Sequence, residues 1–231
     1  MKRLERMLDR DVLTVTGGTV GEVLGEATVA DPDVVRSLDD PLSWRPSIII
    51  LRGTLAPEGA IVRVGGEGER MIRFSGPAII YHSREEAIEG LRCGEIRPGQ
   101  VVVLSGLGLR GSPGMAMTSA LIFGLDGAGL LERVAVVTDG QMSGLVNRGL
   151  IVGEVSPEAA YGGPLGLVEN GDVISIDVER RTVNLEVPQD VLSARLTGPD
   201  RVPAVPERGW LSIYERNVQP LPRGAVLLKR D

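Results

Sequence analysis

The sequence predicts a mixed α and β protein built on a closed or nearly closed β-barrel with flanking helices. Three observations carry this reading. Short β-branched and apolar runs follow one another through the middle of the chain, each cut off by Gly or Pro, as strands joined by tight turns are. Glycine is abundant, 31 of 231 residues, while aromatic residues make up only 3%. The early runs arrive consecutively, without a helix between each pair. That points to antiparallel neighbours and a barrel, not to a regular βαβ repeat.

The elements follow in chain order. "MKRLERMLD" (1–9) places Leu4, Met7 and Leu8 on one helical face. "TVGE" (19–22) has the spacing of a capping box, with Thr19 and Glu22 exchanging hydrogen bonds, so a short helix runs to about Ala27. The stretch 30–47 is rich in Asp and Pro and reads as an extended linker. The expected organisation is therefore an N-terminal arm, 1–45, followed by a barrel domain with C-terminal helices, 46–231.

In the body, 47–53, 60–64, 71–74 and 77–82 read as strands. Ser83 and Glu86 make a second capping box, opening a helix that ends at Gly94. Residues 99–106, 134–140 and 149–156 are buried strands. Ser156 as N-cap and Pro157 at the first helical position predict a one- or two-turn helix. Segments 172–178 and 182–187 alternate strictly and form a hairpin, and 188–196 and 209–218 are closing helices. The total is at least nine strands and about five helices.

Composition removes several functions. Net charge is −6 and no basic run exceeds two residues, which argues against nucleic-acid binding. The single cysteine, Cys93, allows neither an internal disulfide nor a thiolate cluster held by this chain alone. The N-terminus has no apolar signal core, and no stretch approaches the length of a membrane span. A cytoplasmic protein without a membrane partner is expected.

Two segments break the regular pattern. In "SGLGLRGSPGMAMTSALIFG" (105–124) a Gly- and Pro-rich loop follows a buried strand and leads into a helix. Its amides are candidates for an anion site, although the spacing matches no phosphate-binding signature and an ordinary crossover loop fits as well. In "TDGQMSG" (138–144) a strand drives into a serine flanked by glycines. Ser143 is a candidate nucleophile or base, but no histidine or carboxylate stands at triad spacing, and composition alone favours a turn residue. His82, the one histidine, reads as structural or surface. Asp126, Asp139, Glu154 and Glu158 are acidic candidates whose plainer reading is capping or solvated surface, and Cys93 reads as an inert packed thiol.

The motifs "LTVTGGTVGEVL", "RGTLAPEGAIVRVGG", "FSGPAIIYHSREEAIEGLRCGEIRPGQVVV" and "VTDGQMSGLVNRGLIVGEVSPEAAYGGPLGLVENGDVISIDVERRTVNLEV" resemble the C-terminal part of the dihydroxy-acid dehydratase and 6-phosphogluconate dehydratase family, closest to its dihydroxy-acid dehydratases. The resemblance implies a swivelling β/β/α barrel domain. It also implies an active site shared with an N-terminal domain that carries the iron–sulfur cysteines and most magnesium ligands. No cofactor is then expected in this chain, and both groups would come from a cluster-bearing N-terminal-type dehydratase subunit. Homo-oligomerisation is left open. The substrate would be a small sugar acid or dihydroxy acid, converted to a 2-keto acid.

The family's match to "TDGQMSG" usually reads T-D-G-R-F-S-G, and its serine acts as the base at C2, which falls on Ser143 here. The resemblance implies substrate contacts at Gly111, Ser112, Gly114 and Met115 in the first loop, and at Gly140, Gln141 and Gly144 in the second. Three departures stand out. The loop "GSPGMAM" (111–117) lacks the family's metal-binding glutamate. Gln141 replaces arginine, with Leu145 and Val146 in place of small or hydroxylated residues. Glu154 stands where histidine is common. Two readings follow: a barrel subunit of a hydro-lyase, or a non-catalytic binding or regulatory protein on the same barrel.

Overall fold

The computed structural model describes residues 1–44, 46–64, 71–110, 112, 114–115, 118–143, 148–196 and 209–227. Contacts divide the chain into two compact units, Met1–Pro46 and Ser47–Asp231.

In the first unit, Lys2–Met7 forms a 3₁₀ helix and Val20–Glu26 forms α1. The Thr19–Glu22 capping box is complete: Thr19 Oγ1 accepts the Glu22 amide at 3.2 Å, and the Glu22 carboxylate accepts the Thr19 amide at 2.7 Å. Lys2 ties the two helices together by donating to Glu5 at 2.8 Å and to the Leu24 carbonyl, the last turn of α1, at 2.6 Å. Described residues from 27 to 46 contain neither helix nor strand.

The second unit is an eight-stranded, barrel-shaped sheet. Its strands are β1 Ile48–Leu51, β2 Gly59–Arg63, β3 Arg73–Tyr81, β4 Val101–Leu104, β5 Ala135–Thr138, β6 Leu150–Ser156, β7 Val173–Asp177 and β8 Thr182–Leu185. Their spatial order is β1-β2-β6-β5-β4-β3-β7-β8. Helices α2 (Arg84–Arg92), α3 (Ser119–Gly127), α4 (Gln189–Leu196) and α5 (Trp210–Asn217) complete the unit.

The two end strands nearly meet, because the chain after β1 runs along β8. Arg52 donates its amide to Arg181 O at 2.9 Å and accepts from Val183 N at 3.1 Å. Thr54 Oγ1 then accepts from Leu185 N at 2.9 Å, and Thr54 N donates to Asn184 Oδ1 at 3.0 Å. Side-chain hydrogen bonds thus continue the ladder where the strand has ended, and the edge is closed. Gly53 sits at the point of closest approach: a Cβ there would overlap the Val183 carbonyl oxygen.

The centre of the sheet is parallel. β3, β4, β5 and β6 are parallel neighbours, whereas β1–β2, β2–β6, β3–β7 and β7–β8 are antiparallel. Parallel neighbours require crossovers, and α2 and α3 supply two of them, β3–α2–β4 and β4–α3–β5. β4 and β5, at the middle of this block, are buried at every position, and their residues are apolar apart from Thr138. Val101, Val103, Ala135, Val137, Leu150 and Val152 join residues from β1, β2, β7 and β8 in the barrel core. Val102, Leu104, Val136 and Ile151 face the other way, onto Ala87 of α2 and onto Leu121, Ile122 and Leu125 of α3.

Three sequence readings need correction. Segments 71–74 and 77–82 form the single strand β3, which gives eight strands instead of nine among the described residues. The Gly76-Pro77 pair marks a change of partner and not a turn: residues 73–77 pair with β7, and 78–81 pair with β4. Proline is tolerated where the ladder switches sides, since the missing N–H is needed there by neither partner. Ser156 belongs to β6, the Ser156–Pro157 peptide is cis, and only a short 3₁₀ turn, Ala159–Tyr161, follows. At α2, Ser83 caps the Glu86 amide at 3.1 Å, but the Glu86 carboxylate takes the His82 amide and not that of Ser83. The Gly94 end of α2 is as read, with φ +73° and paired Gly94→Leu91 and Glu95→Gly90 bonds.

Gly53→Ala should loosen the closure of the barrel and lower stability by about 1–3 kcal/mol, the usual cost of forcing extra atoms into a packed position. Urea unfolding of the variant against the parent checks this.

Candidate functional site

Four parallel strands running side by side end on the same side of the sheet. The chain segments after β3, β4, β5 and β6 therefore gather at one mouth of the barrel, the usual place for ligands beyond a parallel sheet. The two unusual segments of the sequence are the ones after β4 and β5.

Asp139 organises this mouth. It directly follows β5, is 0% exposed, and accepts three backbone hydrogen bonds. Oδ2 takes the amides of Gly106 at 3.1 Å and Ala159 at 3.0 Å, and Oδ1 takes that of Leu107 at 2.8 Å. One carboxylate thereby fastens the loops after β4 and β6 to the end of β5. Burial pushes its pKa up, and the three amides pull it back toward the charged form. The turn is tightened by Thr138 Oγ1, which accepts from Gly140 N at 3.0 Å.

Glu158 is a second internal acid, 4% exposed. Its Oε2 accepts the Arg110 amide at 3.2 Å, and the Leu109 amide also acts on it. Gly108 passes so close that a Cβ there would overlap the carboxylate, which accounts for glycine at this position. Burial pushes the Glu158 carboxyl up to about 7, opposed by the Arg110 amide and reinforced by the nearby charge of Asp139. The Arg110 guanidinium lies 4.9 Å over the Tyr161 ring and 3.8 Å from Glu215 of α5. Beside Glu158 opens a cleft of about 190 Å³, walled by Glu58, Ser156, Tyr161 and Leu221.

These contacts decide part of the anion-site question. The amides of Gly106, Leu107 and Arg110 are turned inward onto Asp139 and Glu158. They are not presented to a ligand; internal carboxylates occupy the places an anion would take.

The remainder of the first loop meets the second. Ser112 Oγ donates to Gly108 O at 2.9 Å and accepts from Gly114 N at 3.2 Å. Gly114 O then accepts the Gln141 amide at 2.8 Å, making a parallel bridge between Met115 and Gln141. Thr118 Oγ1 lies 3.1 Å from Met142 Sδ. Ser112, Gly114, Met115, Gly140 and Gln141 are thus brought together, with half-buried Ser143 two residues beyond the bridge. Gly111 and Gly144, also expected to contact substrate, lie outside the described residues. Met115 and Gln141 are exposed at the mouth.

The other acidic candidates separate by position. Asp126 is on the surface, paired with Arg148 at 2.8 Å. Glu154 occupies a bulge in β6 with φ +56°, and its amide donates to Gly140 O at 3.1 Å. Its half-buried carboxyl is pushed up by burial and drawn down by Arg63. Cys93 is exposed and not packed as expected; its thiol is pushed up by its hydrogen bond to Glu89 and by nearby acidic charge. Among the described residues no three His, Cys, Asp or Glu side chains converge to hold a metal ion. The described donor set does not fit a cluster or a closed magnesium site. No helix among them is long and apolar enough to cross a membrane.

Sequence reasoning named Asp139 and Glu158 but placed both at the surface or in ordinary caps. The available signal was position. Asp139 is the first residue after β5 and Glu158 the second after β6, two strands buried at nearly every position.

The family described as "Dihydroxy-acid/6-phosphogluconate dehydratase C-terminal" matches residues 33–225. Similar curated proteins are a dihydroxy-acid dehydratase of Methanothrix thermoacetophila, 44% identical over 98% of this chain and 42% of its own length, and one of Aquifex aeolicus, 40% identical over 98% and 41%. A dihydroxy-acid dehydratase of Caldicellulosiruptor saccharolyticus is 40% identical over 96% of this chain and 40% of its own length. The chain spans about two fifths of the length of these relatives.

Asp139→Ala leaves three buried amides without an acceptor and should cost at least about 3 kcal/mol, at roughly 1 kcal/mol or more for each. Chemical denaturation measures it. Glu158 gives a pH signature. Its folded value of about 7 lies above the ordinary 4.5, so its contribution to stability is complete below pH 4.5 and is lost as pH rises through 7. The interval corresponds to about 3 kcal/mol at about 1.4 kcal/mol per tenfold. Glu158→Gln should flatten the stability profile between those pH values, as read from denaturation midpoints across a pH series.

Proposed function

Because the chain belongs to the dihydroxy-acid/6-phosphogluconate dehydratase family, as its C-terminal domain, we propose that it is the barrel part of a hydro-lyase that converts a 2,3-dihydroxy acid to a 2-keto acid. Ser143 supplies the base. The supporting observation is the Gly114–Gln141 bond, which joins the two ligand-facing loops at one mouth, with Ser143 adjoining it. Ser143, as its alkoxide, takes the proton from C2, the C3–O bond breaks and the departing hydroxyl picks up a proton from solvent to leave as water, and the resulting enol tautomerises to the 2-keto acid. Gly140 and Gly114 allow the backbone to approach the substrate, while Met115 and Gln141 line it.

A serine hydroxyl is a weak base unless positive charge beside it lowers its pKa. The described residues bring neither a cluster nor a metal site to this mouth. The complete site therefore includes a second domain or subunit, which carries the iron–sulfur cluster and magnesium and faces the loops after β4 and β5. A second reading, a binding or regulatory barrel, is favoured by one observation: the loop "GSPGMAM" has no glutamate.

The test assays 2,3-dihydroxyisovalerate and a panel of aldonic acids, first with the purified chain and then with a cysteine-bearing family member added. No turnover by the chain alone, turnover with the partner and its loss in Ser143→Ala is the expected outcome. Turnover by the isolated chain would overturn the incomplete-site reading. Association with the partner but unchanged rates in Ser143→Ala would leave the regulatory reading standing.

A further inference from the structure

We propose that Glu158 is the positioning residue of the ligand-facing loop: residues 106–110 close around its buried carboxyl, and ionising it releases that loop together with the Gly114–Gln141 contact. The inference deepens the reading of the mouth proposed above and rests on it for the loop's role. Its test reads the loop directly and needs no turnover.

The argument starts from geometry. The loop after β4 encloses Glu158 tightly: the Arg110 amide donates to Oε2 at 3.2 Å, the Leu109 amide acts on the same carboxyl, and Gly108 leaves no room for a side chain. Described contacts link this loop to the second one. Ser112 Oγ donates to Gly108 O, and Gly114 O receives Gln141 N. A change in how Glu158 holds 108–110 is therefore passed to the Gln141 segment that bears Ser143.

Charged and titratable groups surround it from every side. Asp139, at the end of β5, repels a charged Glu158, and Arg110, in the loop itself, attracts it. Tyr161 in the following 3₁₀ turn stacks under Arg110, which also reaches Glu215 of α5. Glu58, at the start of β2, lines the same cleft and accepts from Ser156 Oγ at 2.8 Å. With two other acids and one arginine near it, ionised Glu158 is poorly compensated while the loop is closed.

Linkage fixes the direction. Water reaching an opened loop returns Glu158 to ordinary acidity near 4.5, against about 7 when enclosed. Raising the pH through this interval favours the opened loop, by up to about 300-fold.

Hydrogen exchange on the full chain, corrected for intrinsic exchange, tests the proposal at pH 5.5 and pH 8. Protection of the Leu109, Arg110 and Gln141 amides should fall about 10- to 100-fold at the higher pH. Amides in the centres of β4 and β5 should stay protected. Glu158→Gln keeps an acceptor but no ionisation, so its loop should be protected equally at both values. Glu158→Ala should be open at both. If the loop merely needs a side chain of this size, parent and Glu158→Gln show the same pH response, and the proposal fails. A pH-independent parent overturns it as well, whether or not Glu158→Ala folds.

Discussion

One buried carboxylate sets the geometry of the barrel mouth. Asp139 has no contact with water and holds three amides drawn from two separate loops. Loops rich in glycine lose more conformational entropy on ordering than any others. Residues 105–115 hold three glycines in the positions described, and apolar packing cannot fix such a segment because it has few side chains to bury. Charge-assisted hydrogen bonds to a fixed acceptor are the available alternative, each stronger than a neutral one. Asp139 suits this role because it is the first residue beyond β5, a strand buried at all of its positions. The rigidity of the strand is passed directly to the acceptor.

Glu158 extends the same device with a different balance. Asp139 has three amides to set against its burial, whereas Glu158 has fewer amides, a repelling neighbour and an arginine turned partly toward other partners. Two acids a short distance apart in a low-dielectric setting cannot both be charged without cost. Both acids are pushed up by burial, Asp139 against the larger set of amides, and Glu158, at about 7, exchanges its proton near neutrality. The mouth is thus fastened at one acid and adjustable at the next.

Much of the scaffold was legible in the sequence because each strand carries its own signal. Residues 101–104 and 135–137 are apolar at every position since both faces are covered, and the 173–185 hairpin alternates since its pleat is half exposed. What escaped was pairing. Gly76-Pro77 looks like a turn from composition, yet the chain continues straight through because its hydrogen-bonding partner changes there from β7 to β4. Direction was hidden for a similar reason: α2 and α3 were readable as helices, but nothing local states that a helix returns its chain parallel. At the mouth, the motif serine and both glycine-rich loops were readable, while the burial of Asp139 and Glu158 depends on three segments separated by up to 50 residues meeting at one point.

This separation of roles bears on how the site can vary. The bridge between the two loops is made by the Gln141 amide and the Gly114 carbonyl, both backbone groups. A different side chain at 141, such as the arginine common in the family resembled, would leave that bond in place. Asp139, Thr138 and Glu158 likewise act on amides and not on the side chains of their loop partners. The framework of the mouth is therefore indifferent to what Met115 and Gln141 present to a ligand. On the proposed function, replacements there, and the lack of a loop glutamate, would alter the chemistry offered to substrate without loosening the loops. Changes at Gly108 or Asp139 would do the reverse. The first set is where a change of substrate or a loss of catalysis can accumulate on an intact barrel, and it is where this sequence departs from the family's usual residues.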